Sequence, residues 1–291
     1  MRKKLIVLGL ITAMTFSMVA CGSDDKTDNE ITTAAETNEN DNTKNNEEDS
    51  ADDKTDIEDD AVDKKDELTD EYLLSMPETP IDELSYYEME DGNIAIDRYI
   101  GGGGEDVIIV VPDEIEGKKV TKIAAGTFER VWAKAVVLGE NISEISEKSF
   151  QSASLEKLLI CGPVKTIYDG TFTLADVYEI TLPNTLEEIG ATSFNTCDIK
   201  EIHFPSSLKK IGNSAFIYAK LERVYFEGGQ VKVGMGAFMY CSELKEVHVS
   251  NCEVQFGNYS FEGVDDLTMF GPSGSSAETY AKENGIKYEN E

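Results

Sequence analysis

The amino-acid sequence predicts a solenoid of 22-residue repeats, a ladder of short parallel β-strands joined through short helical or 3₁₀ segments and preceded by a disordered tether. Phenylalanine stands at Phe128, Phe150, Phe172, Phe194, Phe216, Phe238 and Phe261, a spacing of 22 five times and then 23. Five residues before each comes Ile123, Ile145, Ile167, Ile189, Ile211, Val233 and Phe256. Four of the phenylalanines are followed by an apolar triplet in one register: Leu155, Leu158, Ile160; Val177, Ile180, Leu182; Ile199, Ile202, Phe204; Leu221, Val224, Phe226. A period near 22 means one coil per repeat, because no coil buries its apolar side alone and each must stack on its neighbours.

The charge locates the tether. The chain has 291 residues and a formal net charge of −31. Residues 22–80 hold 22 acids against 5 lysines, a net −17, and residues 81–291 carry another −17, offset by +3 in residues 1–21. A surplus of acid on this scale excludes nucleic acid and anionic headgroups as main partners, since phosphate contacts need Lys and Arg.

The N-terminus reads as an address. Arg2, Lys3 and Lys4 precede an apolar stretch from Leu5 to Ala20 that runs into small residues and Cys21. The stretch is shorter than the ~20 residues of a membrane span, and an acidic coil follows it. It resembles the lipobox of bacterial lipoproteins. That resemblance implies a signal peptide over residues 1–20, lipidation of Cys21 and a protein held at the extracellular face of the cell membrane.

Residues 21–80 are expected to form a disordered linker. No aromatic residue lies between Cys21 and Tyr72, so the segment buries too little apolar area to offset its ordering entropy. As a coil it spans roughly 40 to 45 Å. Its acid pairs do not fit a calcium loop, which needs a central Gly and a closing Glu.

Residues 81–122 are expected to cap the first coil. Tyr86–Met89 and Ile94–Ile100 flank Glu90-Asp91-Gly92-Asn93, a hairpin signal. Gly101–Gly104 breaks the chain but has neither the Lys-Ser/Thr nor the helix of a phosphate loop. Trp132, in the first full repeat, reads as an end-cap residue.

The repeats run over residues 123–270. In each triplet the last two apolar positions, two residues apart, point inward from a strand. Pairs such as Leu208 and Ile211 return along the other side, and Gly212–Phe216 turns into a short helical piece whose Phe plugs the interior. Seven to eight coils are expected, at about 4.8 Å each. The run Ile189-Gly190-x-x-Ser193-Phe194-x-x-Cys197-x-Ile199-x-x-Ile202-x-Phe204-Pro205 and its copies resemble the BspA-like leucine-rich repeat family of bacterial surface proteins. The resemblance covers about residues 85–291 and implies a leucine-rich repeat solenoid engaged in cell-surface recognition or adhesion. Residues 271–291 are similar to that family's C-terminal cap. Ser275 and Glu278 form a capping box before a helix over 277–283, Asn284-Gly285 stops it, and Ile286–Tyr288 is a last strand.

Cys197 and Cys241 stand three residues after their Phe, where other repeats hold Ala153, Ala175 and Ala219. That slot is small and buried. A disulfide between them would cross two coils, roughly 10 Å, beyond the ~7 Å limit on the Cα separation. No C-x-x-C pair suggests zinc.

The middle residue of each triplet projects away from the core. Successive rungs are Val137, Leu159, Thr181, His203, Tyr225 and His248, flanked by Glu179, Glu201, Arg223 and Glu246. Scattered exposed apolar groups are ordinary on a sheet, whereas contiguous rungs with polar edges have the look of a contact surface. The candidate binding residues are therefore Leu159, Thr181, His203, Tyr225 and His248. The two histidines lie two coils apart, no hydrolase or metal signature appears, and the Glu179/Glu201 spacing is one that repeats generate without catalysis. The expectation is no enzyme, no metal and no cofactor. The sequence points to a monomeric, lipid-anchored binder of an extracellular protein or glycan, with self-association in the cell envelope as the alternative.

Overall fold

The computed structural model describes residues 68–250 and 252–291. The expected signal peptide, Cys21 and most of the acidic tether lie outside these residues. The chain winds into parallel coils, each with three sides.

The first side is the strand face. Gly104–Val111, Trp132–Leu138, Ser154–Ile160 and Asp176–Thr181 form a four-stranded sheet. Glu201–Phe204, Arg223–Phe226, Glu246–Val249, Thr268–Gly271 and Lys287–Asn290 form a five-stranded one. Adjacent strands within each are parallel and paired at equivalent repeat positions, as in Val137 with Leu159 and His203 with Tyr225. The ladder breaks between Thr181 and Glu201. The second side is a back sheet of short strands built on Ile123, Ile145, Ile167, Ile189, Ile211 and Val233. It opens with an antiparallel hairpin, Leu84–Glu88 with Ile94–Tyr99, whose turn is held by Asn93 N–H donating to Asp91 Oδ1 at 3.0 Å.

The third side departs from the expected helical piece. Around each Phe the chain makes linked turns, with a left-handed residue two positions before and two after it. Lys148 (φ 57°) and Ser152 (φ 56°) bracket Phe150, and Thr192 (φ 50°) and Thr196 (φ 55°) bracket Phe194. The reason lies in the backbone donors. A helix would spend its N–H groups inside the coil, whereas this alternation turns them toward the next one. Phe128, Phe150, Phe172, Phe194, Phe216 and Phe238 all donate their N–H to the following coil at 2.7–3.1 Å. A third hydrogen-bonded ladder thus joins the coils.

Inside, the seven repeat phenylalanines form one column. Neighbouring rings stack at centroid distances of 4.8–5.3 Å with interplanar angles of 5–25°. Six are fully buried and Phe261, the last, is 7% exposed. Where the chain leaves the back sheet, successive coils pack backbone against backbone. A Cβ on Gly212 would lie 2.5 Å from Ala191 N and 2.6 Å from Gly190 C, so only glycine fits there.

A segment expected to be disordered is folded. Helix α1, Asp70–Leu74, is capped by the Thr69 side chain accepting from Tyr72 N–H, and the following chain ties down through Thr79. Thr79 N–H donates to Val110 O and Thr79 Oγ1 accepts from Val110 N–H, both at 2.9 Å. This strap seats Leu73, fully buried, on Ala135, Val137 and Leu159. The acidic run ends in Tyr72-Leu73-Leu74, and of these Leu73 drives the docking by its burial, while Tyr72 and Leu74 stay exposed. Trp132 is half exposed at the start of its strand, its carbonyl close against Gly103.

At the other end, helix α2, Ser276–Asn284, starts on a Ser275 side chain that accepts from Glu278 N–H and stops at left-handed Gly285. Lys287–Asn290 then pairs parallel with Thr268–Gly271 and closes the strand face.

Candidate functional site

The outward position of the strand face is divided by the strap. Val137 and Leu159 lie under α1, 2% and 4% exposed, so Leu159 is a docking residue for the chain's own N-terminal segment and not part of an open ladder. Lys157 sits at the edge of that contact with a side chain 7% exposed, paired with Asp70 at 2.8 Å and Glu179 at 2.5 Å. Burial opposes its charge, but the two carboxylates outweigh that and hold its pKa above the ordinary lysine value.

Beyond the strap, from Thr181 onward, the face is open. His203, Tyr225, His248 and Phe270 occupy equivalent positions in paired strands. Parallel in-register pairing sets like positions one strand apart, so their rings stack. Centroid distances are 4.4 Å for His203 on Tyr225, 4.6 Å for Tyr225 on His248 and 4.6 Å for His248 on Phe270, with interplanar angles of 9°, 15° and 6°. The rings stack along the solenoid, so the column turns edges outward. A ring face is free only where the column ends.

Carboxylates hold both imidazoles. His203 Nε2 lies 2.9 Å from Glu201 and its Nδ1 3.3 Å from Glu227; His248 Nδ1 lies 2.8 Å from Glu291 and its Nε2 3.3 Å from Glu246. Arg223 Nε donates to Glu201 at 2.6 Å. Burial disfavours the charge on Glu201, yet the hydrogen bonds from His203 and Arg223 prevail and keep its pKa below the usual carboxylate value. Burial and the nearby Glu201 raise the Tyr225 phenol. At the break in the strand face, Tyr178, Glu179, Thr181, Lys200, Glu201 and His203 line a cavity of about 560 Å³. His203 is the first ring of the column and borders this cavity. Glu179 is tied to Lys157 and Glu201 to Arg223, so neither is arranged as a free catalytic carboxylate.

The BspA type leucine rich repeat region matches in 6 copies over residues 113–219 and 165–275, together more than half of the chain. The chain belongs to the BspA-type leucine-rich repeat family. No curated protein matches this BspA-type repeat chain in sequence. Among solved structures, a leucine-rich repeat protein from Bacteroides ovatus is 18% identical with a TM-score of 0.50, over 74% of this chain and 67% of that one. The T. pallidum leucine rich repeat protein is 24% identical with a TM-score of 0.54, over 73% of this chain and 98% of that one. These two share the fold. A leucine rich cell surface protein from Faecalibacterium prausnitzii is 14% identical with a TM-score of 0.31, over 74% of this chain and 95% of that one.

Two features of this BspA-type face were hidden in the sequence. Phe270 was missed because its triplet is degraded: Asp266 and Gly271 stand where the preceding repeat has Leu244 and Val249. The strap was missed because its few apolar residues sit at the end of a strongly acidic run. Cys161, Cys197, Cys241 and Cys252 are free thiols, and Cys21 lies outside the described residues. Among the described residues no group of three His, Cys, Asp or Glu side chains could hold a metal ion, and no helix is long and apolar enough to cross a membrane.

Proposed function

We propose that this protein is a lipid-anchored extracellular binding module. In this reading Cys21 carries the lipid, the acidic residues after it hold the solenoid away from the membrane, and the strand face from Thr181 to Phe270 meets a partner protein. The observation that carries the reading is the ring column His203–Tyr225–His248–Phe270, open to solvent on a face whose earlier rungs already receive a peptide segment, the strap. Leu159 belongs to the covered part and is not in the proposed contact set.

The column favours protein over glycan. Sugars bind aromatic platforms through ring faces, and this column offers edges. Its rim holds Glu179, Glu201, Glu227, Glu246 and Glu291 against Lys200 and Arg223, so a partner surface carrying Lys and Arg is electrostatically matched. The test is a His203→Ala/Tyr225→Ala variant of the full chain, measured against purified matrix and cell-surface proteins. Affinity is expected to fall at least tenfold, about 1.4 kcal/mol, with little change in Tm. Unchanged affinity would remove this face from the interaction. Stable self-association in sedimentation would instead favour an assembly role.

A further inference from the structure

The C-terminal cap closes two of the three sides of the last coil and leaves the third open. On the strand face, Lys287–Asn290 pairs with Thr268–Gly271. On the back sheet, Ser276 Oγ accepts from Val254 N–H at 3.1 Å. On the turn side no further coil stacks among the described residues. In the coil before it, Gly236, Phe238 and Tyr240 donate their N–H groups to Asn258, Ser260 and Glu262 of the last coil, at 2.9, 2.9 and 2.7 Å. The equivalent donors of the last coil are Tyr259, Phe261 and Gly263. Among the described residues these three N–H groups have no acceptor.

Tyr259 and Phe261 border a cavity of about 1180 Å³ that is also lined by Phe256, Val264, Tyr280 and Ile286. Phe261 ends the phenylalanine column there, stacked on Phe238 on its inner side only, with Phe256 and Tyr280 meeting it edge-on. Tyr259 beside it is 62% exposed. Backbone donors unpaired within the chain and set in a regular row are a template for another chain, because their spacing matches the carbonyls of a further coil.

We propose that this open end is a peptide-binding site. Its ligand is a segment of a partner protein that offers backbone carbonyls at alternate residues to Tyr259, Phe261 and Gly263, and an aromatic or aliphatic side chain to the cavity beside the end of the column, between Val264, Tyr280 and Ile286. The row of N–H dipoles matches carbonyl dipoles, a form of strand addition. Exposed Glu262, Asp266 and Glu283 surround the cavity with Lys287 as the one base among the lining charges, so a basic flanking residue fits and an acidic one is repelled. The site lies on a different side of the coil from the His203–Phe270 column and does not depend on it.

The chain itself supplies a probe. In the fold, residues 212–220 present the carbonyls of Asn213, Ala215 and Ile217 to the N–H groups of Thr192, Phe194 and Thr196, place Phe216 on the column and end in Lys220. A synthetic peptide of that sequence is titrated into the ¹⁵N-labelled full chain. The expected result is saturable binding, with the amide resonances of Tyr259, Phe261 and Gly263 moving downfield. Thioamides, poorer acceptors, at the three carbonyls should weaken binding roughly tenfold, and a Glu283→Arg, Asp266→Arg variant should weaken it several-fold through Lys220. Absence of saturable binding, shifts centred on Tyr225 and His248, or equal affinity of the thioamide peptide would overturn the proposal. So would concentration-dependent shifts of the same three amides without peptide, which would make this end a contact between copies.

Discussion

Cys197 and Cys241 occupy the slot that Ala153, Ala175 and Ala219 fill in other coils, and all five side chains are buried. Burial pushes the thiol pKa of Cys197 up to about 11 and that of Cys241 up to about 12; burial likewise raises Cys252 to about 11. These folded values lie above the ordinary 9.0, so below pH 9 the thiols are neutral whether the chain is folded or not. Above it the unfolded chain ionises first. Stability is therefore expected to fall as pH rises from about 9 toward 11–12, by up to ~1.4 kcal/mol per pH unit for each thiol. Urea unfolding at pH 8 and pH 10.5 measures the drop, and a Cys197→Ala/Cys241→Ala chain, whose new methyls fit the slot, should show a shallower one. An equal drop in both chains would mean that these thiols do not govern the alkaline limb. The slot was legible in the sequence because Ala and Cys share only small size and apolarity. The left-handed backbone at Thr192 and Thr196 was not, since β-branched residues seldom adopt it and only the demand of the neighbouring coil for N–H donors enforces it.

Among the elements, the strap is where local composition and tertiary context disagree. Helix α1 has five residues, too few to be stable alone. It persists because Leu73 finds an apolar seat already built by Ala135, Val137 and Leu159, and because Asp70 meets Lys157. Leu73→Asp is expected to release the strap. Hydrogen exchange at Val110, whose N–H is held by Thr79, should accelerate, and proteolysis within residues 68–79 should increase. The lost docking energy is of the order of 2–5 kcal/mol, while exchange in the strands from Glu201 onward stays unchanged. Protection of Val110 at the parental level would show that the Thr79 and Asp70 contacts suffice without Leu73. The opposite outcome holds at the C-terminus, where Ser275, Glu278 and Gly285 mark their helix in the sequence because capping is a local interaction.

For the molecule as a whole, the coils are joined by hydrogen bonds on three sides, except at the break in the strand face between Thr181 and Glu201, and the seven repeat coils each place a ring in the central column. Phe216 stacks on Phe194 and Phe238 and meets Phe204 edge-on, so truncation removes contacts in both directions along the axis. Phe216→Ala is expected to cost about 3–5 kcal/mol, lowering the Tm of the solenoid as one transition. A cost under ~1 kcal/mol would mean that the column relaxes into the cavity.

The repeat, the inward triplets and the phenylalanine column follow from the sequence by itself, because a period of 22 and the spacing of apolar residues recur through the central copies. So does the outward ladder through His248. Tertiary structure decided which part of that ladder is free. Leu159 and Thr181 are adjacent rungs in one register, but a segment remote in sequence covers the first and ends before the second. It also decided that Phe270 extends the column and that the last coil's donors are left without a following coil. Such outcomes depend on how the ends of the chain meet the stack, and the internal period carries no information about ends.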